Sequence, residues 1–145
     1  MIELSRDPIV LQPLIDRAAQ QSAGAVVAFL GITRRYTEGR ETLRLKYEAY
    51  EPLARRDLER LEAEARRKWP LVECLIVHRL GETPVSEASV AIVTSSPHRR
   101  DAFAASQWLI DSLKLSTPIW KEEHWADGAS AWIHPAEGAP PEARP

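Results

Sequence analysis

Apolar residues in this chain recur in two rhythms, and the switches between them mark the elements. Ile9, Leu11, Leu14, Ile15 and Ala18 fall at roughly helical spacing and predict a helix over 8–21, with Asp7 as its N-cap and Pro8 at its first helical position. Gly24 to Thr33 is β-branched and apolar and reads as a buried strand. Leu43, Leu45, Tyr47 and Ala49 alternate with Arg44, Lys46, Glu48 and Tyr50, the period of a strand with one wet face. The polar stretch 34–42 between these two strands, which contains Gly39, reads as a loop.

Pro52 opens a second helix with an apolar stripe of Ala54, Leu58, Leu61, Ala65 and Trp69. Arg66, Arg67 and Lys68 complement its C-terminal dipole, and Pro70 stops it. Strands follow over 71–80 and 88–95, joined by a connection over 81–87. A long helix over 97–115 comes next, then a strand over 119–125, the turn signal Asp127-Gly128 and a short strand over 130–133. Strands in adjacent groups separated by helices predict an α+β fold with a largely antiparallel sheet and flanking helices.

Composition narrows the class. One hundred and forty-five residues suit one domain, placed over 1–134, while 135–145 holds four of the 11 prolines and reads as a disordered tail. A net charge of −2 argues against a protein built to bind nucleic acid or membrane surfaces. The longest nearly apolar run, 24–32, is about half the length of a membrane span. Met1-Ile2-Glu3-Leu4 has neither the basic nor the apolar region of a signal peptide, so a cytoplasmic protein is expected.

Several chemistries are excluded by spacing. The single cysteine, Cys74, rules out an intrachain disulfide and a multi-cysteine zinc site, and its apolar strand predicts an unreactive structural thiol. Six scattered glycines form neither a dinucleotide fingerprint nor a phosphate loop, so no cofactor is expected. The histidines at 78, 98, 124 and 134 lack helical metal-ligand spacing. His124 and His134 flank a turn, but no metal site is expected there, and His78 inside an apolar strand reads as structural. Glu122 and Glu123, adjacent on a strand, point to opposite faces and cannot act as a close carboxylate pair.

One electrostatic feature stands out. Ser96-Pro97 reads as a helix start, yet His98, Arg99 and Arg100 follow it, where cations oppose the helix dipole. Either Asp101 and solvent neutralise the patch, or the free N–H groups and arginine forks take an anion. Lys114 and Lys121 are the only lysines after Lys68, and four of the five tryptophans lie between 108 and 132. An apolar floor with convergent cations would suit a small anionic ring compound.

The run Ser96-Pro97-His98-Arg99, Ala102-Phe103, Ile110-Asp111, Leu113-Lys114, Pro118 and Trp120-Lys121-Glu122-Glu123 resembles the catalytic (large) subunit of molybdopterin synthase. Gly31-Ile32-Thr33-Arg34, Arg67-Lys68-Trp69-Pro70 and Val77-His78-Arg79-Leu80-Gly81 support the likeness, which runs in order from about 24 to 132. The resemblance implies an α/β-hammerhead type of α+β fold that dimerises through the large subunit. It implies a small ubiquitin-like partner whose C-terminal thiocarboxylate delivers two sulfurs to cyclic pyranopterin monophosphate, making the dithiolene of molybdopterin.

Carried over by position, the catalytic lysines match Lys114 and Lys121, and the anion-binding positions match Arg34, His98 and Arg99. Ile32, Thr33, Glu122 and Glu123 occupy segments that line the same substrate pocket. Arg35 and Arg100 are cations beyond this pattern. The chemistry is compatible: a thiocarboxylate is already nucleophilic, and a lysine among arginines has a lowered pKa suited to acid/base work. A noncatalytic module binding a ubiquitin-like protein or a phosphorylated metabolite is the competing reading, and it would leave both lysines dispensable.

Overall fold

The computed structural model describes residues 1–133; the tail over 135–145 and His134 lie outside the described residues. In chain order the elements are β1 (Ile2–Ser5), α1 (Gln12–Ala18), β2 (Ala25–Ile32), β3 (Tyr36–Thr37), β4 (Arg40–Ala49), α2 (Glu51–Lys68), β5 (Glu73–Arg79), β6 (Gly81–Pro84), β7 (Ala88–Ser96), α3 (Arg99–Ser116), β8 (Ile119–Trp125) and β9 (Ser130–Ile133).

Four strands form one sheet in the order β1-β5-β7-β2, in which β1 and β5 are parallel and the other pairs antiparallel. Alternation along its central strands supplies two cores. Cys74 and Ile76 of β5, with Val90 and Ile92 of β7, meet Leu58 and Leu61 of α2 and Leu109 and Leu113 of α3. Leu75, Val77, Ala91 and Val93 face the other way, onto Leu14 and Ala18 of α1. Both faces are therefore covered, which is why β5 and β7 read as unbroken apolar runs.

The second sheet runs β3-β4-β8-β9, with β6 also paired to β4, and every pair is antiparallel. The expectation of an α+β fold with a largely antiparallel sheet agrees with this architecture.

Four details differ from the sequence reading. The first helix starts at Gln12 with Leu11 as N-cap, not at Pro8 with Asp7. A helix from 8 would hold Pro13 inside it, lacking an N–H and clashing with the preceding turn; starting at 12 puts Pro13 in the first turn. The strand over 24–33 is an edge strand and only half-buried. In β4 the register shifts between Thr42 and Arg44, so Thr42 is buried and Leu43 is 47% exposed. The loop over 34–42 contains a tight hairpin, with Glu38 and Gly39 both at positive φ (52° and 79°), the signature of a two-residue type I′ turn.

The start of α3 also differs. Ser96 ends β7 and donates its hydroxyl to the His98 carbonyl, and His98 takes the N-cap position. The chain passes so close here that a Cβ on Gly24 would sit 2.1 Å from the Pro97 carbonyl oxygen. Among the described residues, no helix is long and apolar enough to cross a membrane.

Candidate active site

Between the end of α3 and the inner face of β4 and β8 lies a cavity of about 280 Å³. Lys114 reaches it from the last turn of α3, and Lys121 from β8. Tyr47 stands directly across from Lys121 in the β4–β8 register, and Leu45 across from Glu123. Strand alternation then puts Lys121 and Glu123 on one face together. Ile32 and Arg34 close the cavity from the end of β2, and Ile133 from β9.

Burial and like charge set the electrostatics. Desolvation, followed by repulsion from Lys121, pulls the Lys114 amine from its ordinary 10.5 down to about 8. Lys121 is also lowered by burial, with Glu123 opposing and Arg34 reinforcing the shift. Near neutral pH the cavity therefore holds an amine poised to exchange a proton, beside a second ammonium and a guanidinium. Glu123, 9% exposed, accepts a hydrogen bond from the Thr42 hydroxyl and supplies the counter-charge. Burial raises the Tyr47 hydroxyl above its usual range despite its hydrogen bond with Ser89, so it is a neutral polar wall.

The lysine-bearing turn is anchored from α2. Asp57 accepts from the Thr117 hydroxyl at 2.7 Å, the Ser116 hydroxyl at 2.9 Å and Arg60 at 2.9 Å. Burial pushes the Asp57 carboxyl up, but these donors outweigh it and hold the group below the usual carboxylate range.

Five of the nine positions selected from sequence thus line one cavity: Ile32, Arg34, Lys114, Lys121 and Glu123. Four do not. Thr33 is buried and donates to the Thr83 carbonyl, a structural role. Glu122 points to the opposite face of β8 and pairs with His124. His98 and Arg99 are exposed at the far end of α3, and fifteen residues at 1.5 Å per residue put Arg99 about 22 Å from Lys114. They cannot converge with Arg34 on one anion within a single chain.

The tryptophans are not the floor either. Trp108 packs on Trp69 at 5.8 Å, and Trp125 lies under Arg40 at 3.6 Å. Trp120 and Trp132 line a separate shallow groove with Tyr50. The apolar walls of the cavity are instead Leu45, Ile32 and Ile133.

Sequence reasoning missed Tyr47, Ser89 and His78. The alternation in β4 put Tyr47 on the same face as Leu45, but only the pairing with β8 shows that this face meets the lysines. His78 is structural in the expected sense, buried with its Nδ1 2.9 Å from the Arg79 carbonyl, yet it also borders Lys114 in a smaller cavity behind the main one. Cys74 is fully buried, and desolvation pushes its thiol up to about 12, as expected of an inert sulfur. No cluster of histidine, cysteine and carboxylate side chains able to hold a metal exists among the described residues.

Comparison with known proteins places this geometry. The molybdopterin synthase catalytic subunit of Bacillus subtilis (strain 168) is 41% identical over 131 residues, covering 90% of this chain and 83% of that protein. The one from Staphylococcus carnosus (strain TM300) is 43% identical over 131 residues, 90% of this chain and 87% of that protein. The crystal structure of molybdopterin synthase from Staphylococcus aureus matches with a TM-score of 0.86 at 40% identity, over 90% of this chain and 95% of that one. The family described as MoaE protein matches residues 4–116, and with relatives at this identity over nine-tenths of its length, the chain belongs to that family.

Proposed function

We propose that this protein is the catalytic subunit of a molybdopterin synthase, moving sulfur from the C-terminal thiocarboxylate of a small ubiquitin-like partner to cyclic pyranopterin monophosphate. The observation that carries this reading is the convergence of Lys114 and Lys121 with Arg34 in one half-buried cavity, with the Lys114 amine lowered to about 8. The partner's thiocarboxylate sulfur is the nucleophile, so the chain needs no reactive thiol of its own. Lys114 exchanges protons at the carbons that lose oxygen and gain sulfur, because its amine titrates close to neutral pH. Lys121 and Arg34 hold phosphate and stabilise charge as the cyclic phosphate opens. Glu123 keeps the cavity's net charge from repelling its own lysines.

His98 and Arg99 enter through a second copy of the chain. Their side chains make no ion pair among the described residues and lie too far from Lys114 to act in cis. A homodimer with two-fold symmetry lets the start of α3 in one protomer complete the cavity of the other.

Two measurements test this. Purified protein, thiocarboxylated partner and cyclic pterin should yield molybdopterin, and omission of the partner should abolish it; no product with all three present sinks the reading. Mixing inactive Lys114→Ala and Arg99→Ala chains should restore about a quarter of wild-type activity, since half the dimers then carry one intact site of two. Absence of any recovery, with subunit exchange verified, places His98 and Arg99 outside the site.

A further inference from the structure

Behind the main cavity is a second one of about 20 Å³, sharing Tyr47, Lys114 and Lys121 with it and closed by His78, Leu113 and Thr117. That volume holds one water, and the polar side chains of Tyr47, His78, Lys114, Thr117 and Lys121 around it are enough to bind one. His78 occupies the same face of β5 as Cys74 and Ile76, where the two preceding positions are filled by apolar packing against α2 and α3. An apolar side chain would serve packing equally well, yet the chain buries an imidazole at 1% exposure.

The ring's orientation is fixed. Its Nδ1 lies 2.9 Å from the Arg79 carbonyl, and a carbonyl only accepts, so the proton sits on Nδ1 and Nε2 keeps its lone pair. Tyr47 meets the ring edge-on, with centroids 5.0 Å apart and planes at 70°, which blocks rotation. We propose that His78 is a positioning residue for Lys114, offering Nε2 as a permanent acceptor to the lysine amine through the water-sized cavity that both side chains line.

This deepens the proposed function, resting on Lys114 as its acid/base group. His78 does not itself titrate in the working range. Desolvation, then repulsion from Lys114, drives its pKa to about 4, so at neutral pH the ring is neutral, donating from Nδ1 and accepting at Nε2. Other charged or titratable groups around Lys114 are Lys121 and Glu123 on β8, Tyr47 on β4 and Arg34 after β2. Asp57 on α2 is already engaged with Thr117. Tyr47 and Thr117 also line the small cavity, but their hydroxyls can turn to donate, whereas Nε2 of His78 can only accept. It steadies the ammonium form enough for the amine to be charged or neutral as the reaction needs.

The test reads Lys114 directly. In protein labelled with ¹³C-lysine, the Cε signal of Lys114, assigned by its loss in Lys114→Arg, is titrated in the wild type, His78→Phe and His78→Gln. Removing the acceptor should lower the Lys114 midpoint by about one pH unit in His78→Phe, while His78→Gln, which keeps an amide acceptor, should stay near the wild type. An unchanged midpoint in folded His78→Phe overturns the proposal.

Should that variant not fold, long-range ¹H–¹⁵N spectra of the wild-type imidazole decide. An Nδ1-protonated ring whose Nε2 shift follows the Lys114 titration supports the assignment; an Nε2-protonated ring, or an Nε2 blind to that titration, overturns it. Sulfur-transfer pH profiles separate the two readings. A Lys114 midpoint that moves while the profile stays fixed supports the role of His78 and removes the acid/base role from Lys114.

Discussion

The two sheets of this protein handle exposure in opposite ways. The sheet of β1, β5, β7 and β2 is covered by α2 and α3 on one face and α1 on the other, and its central strands bury nearly every side chain. The sheet of β3, β4, β8 and β9 buries only Leu45, Tyr47 and their neighbours and leaves Trp120, Trp132 and Leu43 substantially exposed. All the titratable groups of the cavity except Lys114 and Arg34 sit on the second sheet or reach it from there. The first sheet provides a rigid backing, and the second provides the open face on which a substrate and a partner's tail can be met. Lys114 is the link, since α3 packs along the first sheet and ends over the second.

The comparison can be broken most sharply at that link. Lys114→Ala should lower single-turnover sulfur transfer by about 10²–10⁴ while leaving the protein folded, and Lys114→Arg should rescue little because guanidinium holds its proton. Wild-type rates in Lys114→Ala would show that the open sheet does not do acid/base chemistry. At the opposite pole, Leu75→Ala in the first sheet should cost about 2–5 kcal/mol in denaturant unfolding and leave turnover per folded molecule unchanged. A loss of turnover without a loss of stability there would erase the division between the sheets.

A pH experiment sharpens the contrast within one residue. The folded-state pKa of Lys114 is lowered to about 8 from 10.5, so below pH 8 the fold carries the full cost of burying the ammonium. Between pH 8 and 10.5 the unfolded chain binds the extra proton and stability rises with pH. Lys114→Met should therefore be more stable than the wild type at pH 7, by a difference on the order of 2–3 kcal/mol that closes as pH rises through that window. Comparing the two proteins cancels Cys74, whose raised pKa acts in the opposite direction above pH 9. A pH-independent difference would place Lys114 in solvent. The smallest expected effect is Cys74→Ala, about 1 kcal/mol of stability and no change in sulfur transfer; lost turnover in the folded variant would overturn the view that the protein's own sulfur is idle.

The same contrast governs what could be read from the sequence. Buried runs such as Leu75–Val77 and Val90–Val93, and the stripe of Leu58, Leu61 and Ala65, announce themselves because burial on a regular element imposes a period. The elements that escaped are short or lean on pairing alone. Gly81–Pro84 forms β6 with threonine as its one strand-favouring residue among glycine, glutamate and proline, because β4 offers its edge there. Ile2–Ser5 has too few residues to show alternation. In the site, Lys114 and Lys121 were legible because lysines are rare late in the chain. Tyr47 was not, since its place opposite Lys121 depends on the pairing of β4 with β8, which no local pattern encodes. The length of α3 sets His98 and Arg99 apart from Lys114 within one chain, a separation that spacing in the motif does not show.

Cys74 carries a consequence beyond packing. Under the proposed function the partner's tail is a thioester once its sulfur has bonded to the pterin, and an accessible thiolate would attack that acyl carbon, expel the pterin thiolate and trap the partner on the protein. With the thiol fully buried and its pKa near 12, the thiolate is scarce at any physiological pH and shielded from reagents. The chain can thus meet a sulfur donor turn after turn without being acylated by it.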